Sequence, residues 1–161
     1  MSVRLPFVFP VHPRTRQRIE RFGLAARFGK ASRIIQLPPL GYLDFLALTS
    51  QARVIVTDSG GLQEESTALG IPCLTVRPNT ERPITVSEGT STLVGNDPTK
   101  LRAGLEAVLN GAYRRGKCPD LWDGRAAERI AAILASWALV ESREGADSPT
   151  DHTEGRDDLR R

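Results

Sequence analysis

Cysteine is scarce in this chain. Cys73 and Cys118 are the only two in 161 residues, and they form no CxxC pair. That excludes a disulfide framework and a cysteine-rich metal site, and it suits a reducing compartment. Cys73 lies in an apolar run and reads as a small core residue. No apolar stretch approaches the ~20 residues that span a bilayer. The first eleven residues have one Arg and a short apolar run, without a long hydrophobic segment or a small-residue cleavage site, so they do not read as a secretory signal. Long basic runs are also missing. The formal net charge is +3. Residues 141–161 carry seven acids against four bases, a net of −3, which leaves +6 on the rest. A mildly basic body with a polar tail suits a phosphate-bearing ligand as well as it suits nucleic acid. There is no internal repeat.

What is present is a regular alternation of short apolar runs and helical patterns. Hydrophobic residues make up 40%, enough for the core of one domain over residues 1–140. The pattern predicts a strand over 5–11, limited in pairing by Pro6 and Pro10. A helix is expected from Arg14 to Phe28, with Ile19, Phe22 and Ala26 apolar and Gly29 as its stop. A strand over 33–37, a helix over 42–52 and a strand over 53–57 follow. A glycine turn then opens a helix to Leu69, and 72–77 is strand-like. After the loop 78–83 come a short helix over 84–88 and a last strand over 92–95. Asp97 and Pro98 cap a helix that ends near Gly111. Residues 112–124 read as irregular. A final helix over 125–140 is expected to bury Ile130, Ile133, Leu134 and Trp137. Residues 141–161 lack periodic apolar positions and read as a disordered tail.

Strands that alternate with helices imply an α/β fold, a parallel sheet with helices on both faces. Ligands of such sheets sit outside the carboxyl ends of the strands. The segments 12–15, 40–44 and 58–61 all follow strands, so the expected site lies on one edge, joined there by the loop 79–83.

The run Thr57-Asp58-Ser59-Gly60-Gly61-Leu62-Gln63-Glu64-Glu65 is the most informative of these. A strand ends there in a small polar residue and two glycines, and a helix begins. Helix N-termini offer unpaired N–H groups and partial positive charge, and glycines let a ligand come close. Ser59 is equally suited to capping the helix, and the glycines to making a tight turn. No Gly-Lys-Ser/Thr follows, so the turn is not a Walker loop. Thr57 stands where a nucleophile elbow needs glycine. Glu64 and Glu65 are about 100° apart around a helix, so only one can face a given ligand. A carboxylate accepts two hydroxyl donors, which matches a ribose diol; both acids also complement the helix dipole. His12 follows a strand and suits a diphosphate contact or proton transfer, or simply a surface or a packed position. Arg82, braced by Pro78 and Pro83, suits a bidentate grip on a diphosphate, or a pair with Glu81. Phe45 suits base stacking or core filling. Arg14, Arg16 and Arg18 read as solvated.

Taken together, these residues resemble the UDP-N-acetylglucosamine 2-epimerase family. The resemblance rests on 57–65, on Asn79-Thr80-Glu81-Arg82-Pro83, on Glu88-Gly89-Thr90 and on Leu93-Val94-Gly95. Pro10-Val11-His12-Pro13-Arg14-Thr15, Leu40-Gly41-Tyr42-Leu43-Asp44-Phe45 and Asp123 to Ile130 match in order. It implies the Rossmann-like C-terminal half of a GT-B-like fold, with substrate in the cleft between two domains. It implies that Ser59, Gly60 and Gly61 bind the diphosphate and that Glu65 takes the ribose hydroxyls. Arg82 and a catalytic His12 would lie near the diphosphate, and Leu40 to Phe45 would hold the uracil. No cofactor and no metal are implied. The reaction implied interconverts UDP-N-acetylglucosamine and UDP-N-acetylmannosamine by eliminating UDP and adding it back. Most of the acid–base carboxylates would come from an N-terminal domain, so this chain is expected to be inactive alone.

The partners implied are a UDP-sugar and either a separate N-terminal domain or a second copy, with no nucleic acid and no membrane, in the cytoplasm. Pro78 and Ser91 depart from the family pattern, and Leu46 stands where some bacterial members carry a His tied to allosteric substrate binding. Glu81-Arg82-Pro83 favours a 2-epimerase over the related 3-epimerases. A non-catalytic UDP-sugar-binding module and a GT-B glycosyltransferase donor domain share the same edge logic, the latter with a poorer fit to these motifs.

Overall fold

The computed structural model describes residues 5–31 and 33–146. These fall into two compact units divided between Pro119 and Asp120. In the first unit, β1 (Phe7–Pro10) pairs in parallel with β2 (Ile34–Leu37), and β3 (Ile55–Thr57), β4 (Cys73–Thr75) and β5 (Ser91–Leu93) pair in parallel in that order. Phe7 stands opposite Ile34, Ile55 opposite Cys73, and Leu74 opposite Thr92. The helices are α1 (Pro13–Arg21), α2 (Ala25–Gly29), α3 (Tyr42–Ser50), α4 (Gly60–Ala68), α5 (Pro83–Ser87) and α6 (Pro98–Leu109), with α7 (Ala126–Ala146) in the second unit.

The fold is α/β with parallel strands, as the sequence pattern implies, but the strands form two sheets where one was expected. The reason lies in β1. Phe7 N–H donates to Arg33 O and Val11 N–H to Leu37 O, both at 2.9 Å. By the two-residue alternation of a strand, residues 6, 8 and 10 then face the other edge. Two of these are Pro6 and Pro10, which have no N–H to give a ladder. That edge of β1 is therefore nearly without donors.

The expected helix over 14–28 is instead two helices. Gly23 sits at φ +64, and Leu24 N–H reaches back to Ile19 O while Gly23 N–H reaches Glu20 O. This is a Schellman stop, which glycine adopts without steric cost. The apolar spacing of Ile19, Phe22 and Ala26 runs on through the break, and Phe22 is exposed. α2 docks separately, with Phe28 stacked on Phe9 at 6.1 Å between ring centroids.

The core lies around β3 and β4. Ile55, Ile71 and Cys73 are buried together, with Ala52 and Leu62 packed against them, and Leu74 is fully buried. Cys73 is thus the core residue its context implied. Asp97 caps α6 through bonds from Thr99 N and Lys100 N at 2.8 and 3.3 Å. The interior is unusually polar: Ser66, Thr67, Thr75, Thr85, Thr90 and Ser91 are all buried. Tyr113 serves this region from the segment after α6. Its hydroxyl lies 2.8 Å from Thr90 O, 3.1 Å from Cys73 O and 2.8 Å from Thr92 Oγ1. With one proton to give to two carbonyls, the phenol accepts from Thr92.

The second unit is α7 and the turn before it. Asp123 Oδ1 accepts from Arg125 N–H, and its other oxygen pairs with Arg129. The expected buried face is exposed: Ile130, Ile133, Leu134 and Trp137 keep 55–67% of their accessibility. Among the described residues this unit has no second element to cover them. α7 runs through Ala146, past the expected end at Val140, and the rest of the expected tail lies outside the described residues. No helix among the described residues is long and apolar enough to cross a membrane.

Burial raises the Tyr113 pKa above its ordinary value. A raised pKa in the fold makes a stabilising contribution that is intact below the unfolded value, about 10, and is lost as pH climbs through the folded value. Tyr113→Phe should lower unfolding stability at pH 7 by about 1–2 kcal/mol in urea titrations, since it strands buried carbonyls. The variant should also lose less stability than the parent chain between pH 9 and about 11.

Candidate functional site

Parallel pairing sends the chain out of every strand of a sheet at the same edge. The turn after β3 and the loop after β4 therefore emerge side by side. Ser59 is the N-cap of α4, with extended backbone, and its Oγ accepts from Leu62 N–H at 3.4 Å. Its own N–H donates to Thr57 Oγ1 at 3.0 Å. Gly60 and Gly61 are the first helical residues, whose N–H groups have no partner within a helix. Ser59 and Gly61 are exposed and Gly60 half-buried, so the turn forms an open ledge.

The loop over 78–82 is tied to this ledge by a buried amide. Gln63, in the first turn of α4, is completely buried. Its Nε2 donates to Ser59 O at 3.2 Å, and its Oε1 accepts from Thr80 Oγ1 at 2.8 Å. The Thr80 hydroxyl in turn accepts from Arg82 N–H at 3.0 Å. Arg82 is also the N-cap of α5, where its carbonyl accepts from Thr85 Oγ1 at 2.7 Å.

Arg82 Nε lies 2.9 Å from Glu64 Oε1. The atom is buried and the pair is off the line for a hydrogen bond, so the attraction is that of an ion pair alone. The Arg82 stem passes close to Gly60: a Cβ on that glycine would lie 3.8 Å from Arg82 Cγ. The two acids of α4 are thereby separated. Glu64 is engaged with Arg82, whereas Glu65 forms no ion pair among the described residues and is half-buried.

Glu81 also approaches the helix N-terminus. A Cβ on Gly60 would sit 2.7 Å from Glu81 Oε1, so glycine here makes room for the loop. The Glu81 carboxylate pairs with Arg77 at 2.9 Å. Its own backbone N–H, and then Arg77, hold its carboxyl below the ordinary carboxylate range. A negative charge at this place complements the helix dipole.

Ser59, Gly60, Gly61, Glu64 and Arg82 thus belong to one constellation, and Glu65 follows Glu64 on the same helix. His12, Leu40 and Phe45 stand at the corresponding edge of the β1–β2 sheet. His12 is exposed and caps α1, its Nδ1 accepting from Arg14 N–H at 3.2 Å, which leaves Nε2 for a ligand. Leu40 and Phe45 are half-buried, before and within α3, and Tyr42 and Leu43 beside them are exposed. No hydrogen bond or ion pair links this group to the Ser59 turn among the described residues. A cavity of about 380 Å³ opens at the opposite edge, the amino ends of β4 and β5, where Pro72, Thr90, Tyr113 and Arg114 line it. None of His12, Leu40, Phe45, Ser59, Gly60, Gly61, Glu65 and Arg82 lines it. Among the described residues no group of three or more His, Cys, Asp or Glu is arranged to hold a metal ion.

Sequence reasoning missed Gln63 and Thr80 as organisers of the site. A Gln beside two acids in a helix reads as surface, and its burial depends on a loop seventeen positions away. Its place between the glycines and the acids was the available signal.

The family model described as UDP-N-acetylglucosamine 2-epimerase matches residues 2–135. The curated UDP-N-acetylglucosamine 2-epimerase of Methanocaldococcus jannaschii is 44% identical over 127 residues, 79% of this chain and 34% of that protein. That of Escherichia coli K12 is 36% identical over 137 residues, 81% of this chain and 35% of the relative. The crystal structure of the Methanocaldococcus jannaschii enzyme in complex with UDP-GlcNAc and UDP superposes with a TM-score of 0.69 at 41% identity, covering 80% of this chain and 35% of that one. The Neisseria meningitidis enzyme bound to UDP-GlcNAc gives 0.68 at 31% identity, covering 81% and 35%. The chain spans about a third of the length of the relatives it matches, a C-terminal portion, and its α/β fold is the Rossmann-like C-terminal half of a GT-B-like fold. With the motifs, the fold and the family model in agreement, this chain belongs to the UDP-N-acetylglucosamine 2-epimerase family.

Proposed function

We propose that this chain is the UDP-binding part of a UDP-N-acetylglucosamine 2-epimerase. The observation that carries this is Arg82 beside the Ser59-Gly60-Gly61 helix start, paired with Glu64 and within van der Waals distance of the space in front of Gly60. A guanidinium and a row of open N–H groups are what a diphosphate requires. Glu65, without an ionic partner among the described residues, is the ribose acceptor. Leu40 and Phe45 form the uracil side, and His12 offers Nε2 toward the diphosphate.

In this reading UDP leaves across C1–C2 of the sugar and adds back after inversion at C2. The residues of this chain stabilise the departing diphosphate, through the α4 N-terminus and Arg82. The C2 proton is weakly acidic, so its removal needs placed carboxylates, which the remainder of the protein supplies. That remainder is an N-terminal domain, in the same polypeptide or a separate one, or the site is completed by a second copy. The whole protein works in the cytoplasm, making precursor for cell-surface polysaccharide. The short span relative to its relatives also favours a second reading, a non-catalytic UDP-sugar-binding module completed by a partner.

Titration calorimetry should detect weak UDP binding by this chain, and an NMR assay with UDP-N-acetylglucosamine should show no epimerisation by it alone. Absence of UDP binding would refute the nucleotide reading, and turnover would refute the shared site. Glu65→Ala should cost about 1.5–3 kcal/mol of UDP affinity, the worth of a charge-assisted hydrogen bond. Glu64→Ala should cost less, because the ion pair it removes is partly exposed, at 43% and 41% for the two side chains. Equal losses would mean that the ribose contact is wrongly assigned. Gly60→Ala displaces only the flexible end of Glu81, so its melting curve should shift by no more than about 1 kcal/mol of stability, while UDP affinity falls by about tenfold or more. By contrast, Gly89→Ala drives a Cβ to 2.7 Å from Thr85 O and should destabilise by about 2 kcal/mol or more.

A further inference from the structure

We infer that Gln63 is a positioning residue that holds the Arg82 loop in register with the Ser59 turn, and so sets the grip on the diphosphate; this rests on the nucleotide reading above. The chain of bonds has a single direction. Arg82 N–H donates to Thr80 Oγ1, the Thr80 hydroxyl donates to Gln63 Oε1, and Gln63 Nε2 donates to Ser59 O. The Thr80 hydroxyl uses its one proton and accepts one, and Gln63 uses both ends of its amide. Reversing either group would leave two donors or two acceptors face to face.

Burial makes this link count. Gln63 is wholly removed from solvent, so its amide has no water to fall back on. The other polar tie between the two segments, Glu64 with Arg82, is partly exposed and is screened. The amide bridge also acts on backbone at both ends, the Ser59 carbonyl and the Arg82 N–H. It fixes where the Arg82 side chain begins, and the ion pair fixes only where it ends. A leucine at 63 would fill the same space with neither bond. A glutamate would set a carboxylate oxygen against the Ser59 carbonyl.

The test uses the 161-residue chain with two readouts, calorimetric affinities for UDP and for uridine, and amide hydrogen exchange at Arg82 in the free chain. Gln63→Leu and Thr80→Val should each weaken UDP by about tenfold or more and leave uridine within about twofold, since the device acts on the diphosphate side. Arg82 amide exchange should quicken by about tenfold in both. Thr80→Ser keeps the hydroxyl and should stay near the parent in both readouts. The double variant should be no weaker for UDP than the worse single one by more than about twofold, because both break one chain. Equal losses for UDP and uridine, unchanged Arg82 exchange, or additive effects would overturn the inference. If Gln63→Leu does not fold, the pair Thr80→Val and Thr80→Ser decides it. A parent chain that binds no UDP refutes the nucleotide reading, while Arg82 exchange still shows whether Gln63 holds the loop.

Discussion

The parallel ladder β3–β4–β5 is the constraint on which the rest of this structure depends. Parallel neighbours cannot be joined by a tight hairpin, so α4 and α5 must carry the chain back to begin each next strand. The carboxyl ends then open on one edge, where the Ser59 turn and the Arg82 loop become neighbours although they are far apart in sequence. β4 is central, and Cys73, Leu74 and Thr75 are all fully buried. A single buried strand therefore decides where the site is.

The interior around that strand is held as much by polar bonds as by apolar packing. Thr67 Oγ1 accepts from Thr90 N–H, Tyr113 reaches the carbonyls of Cys73 and Thr90, and Gln63 binds Ser59 and Thr80. Each such bond contributes only about 1 kcal/mol net, but a buried partner left alone costs more. The result is directional. Apolar contacts permit small slides, whereas a satisfied buried network permits one arrangement. The site sits at the end of that network, so loops that look free in sequence are tethered from beneath.

Elsewhere the chain is less closed. Pro6 and Pro10 strip donors from one edge of β1, and the β1–β2 pair stands as its own sheet. The apolar side of α7 has no cover within its unit among the described residues. Both features accompany a chain that spans about a third of its relatives. The constellation assembled around α4 includes a guanidinium and a helix N-terminus, and the same helix carries Glu65, whose carboxylate forms no ion pair among the described residues.

The sequence by itself determined the class of fold and pointed to the strand edge on which the candidate site is built. The alternation of periods, the Asp97 and Ser59 caps and the glycine turn are local signals, written in neighbouring residues, and local signals are legible without a structure. It also contained the break at Gly23 and the prolines before and within β1, Pro6 and Pro10, but their effects compete with an apolar spacing that runs on regardless. That is why one helix and one sheet were expected where two of each occur. Only the tertiary structure decided which acid meets Arg82, that Gln63 is buried, and that α7 leaves its apolar face open. Those outcomes depend on which segment lies across from a residue, and packing partners distant in sequence leave no mark in the residue's own surroundings.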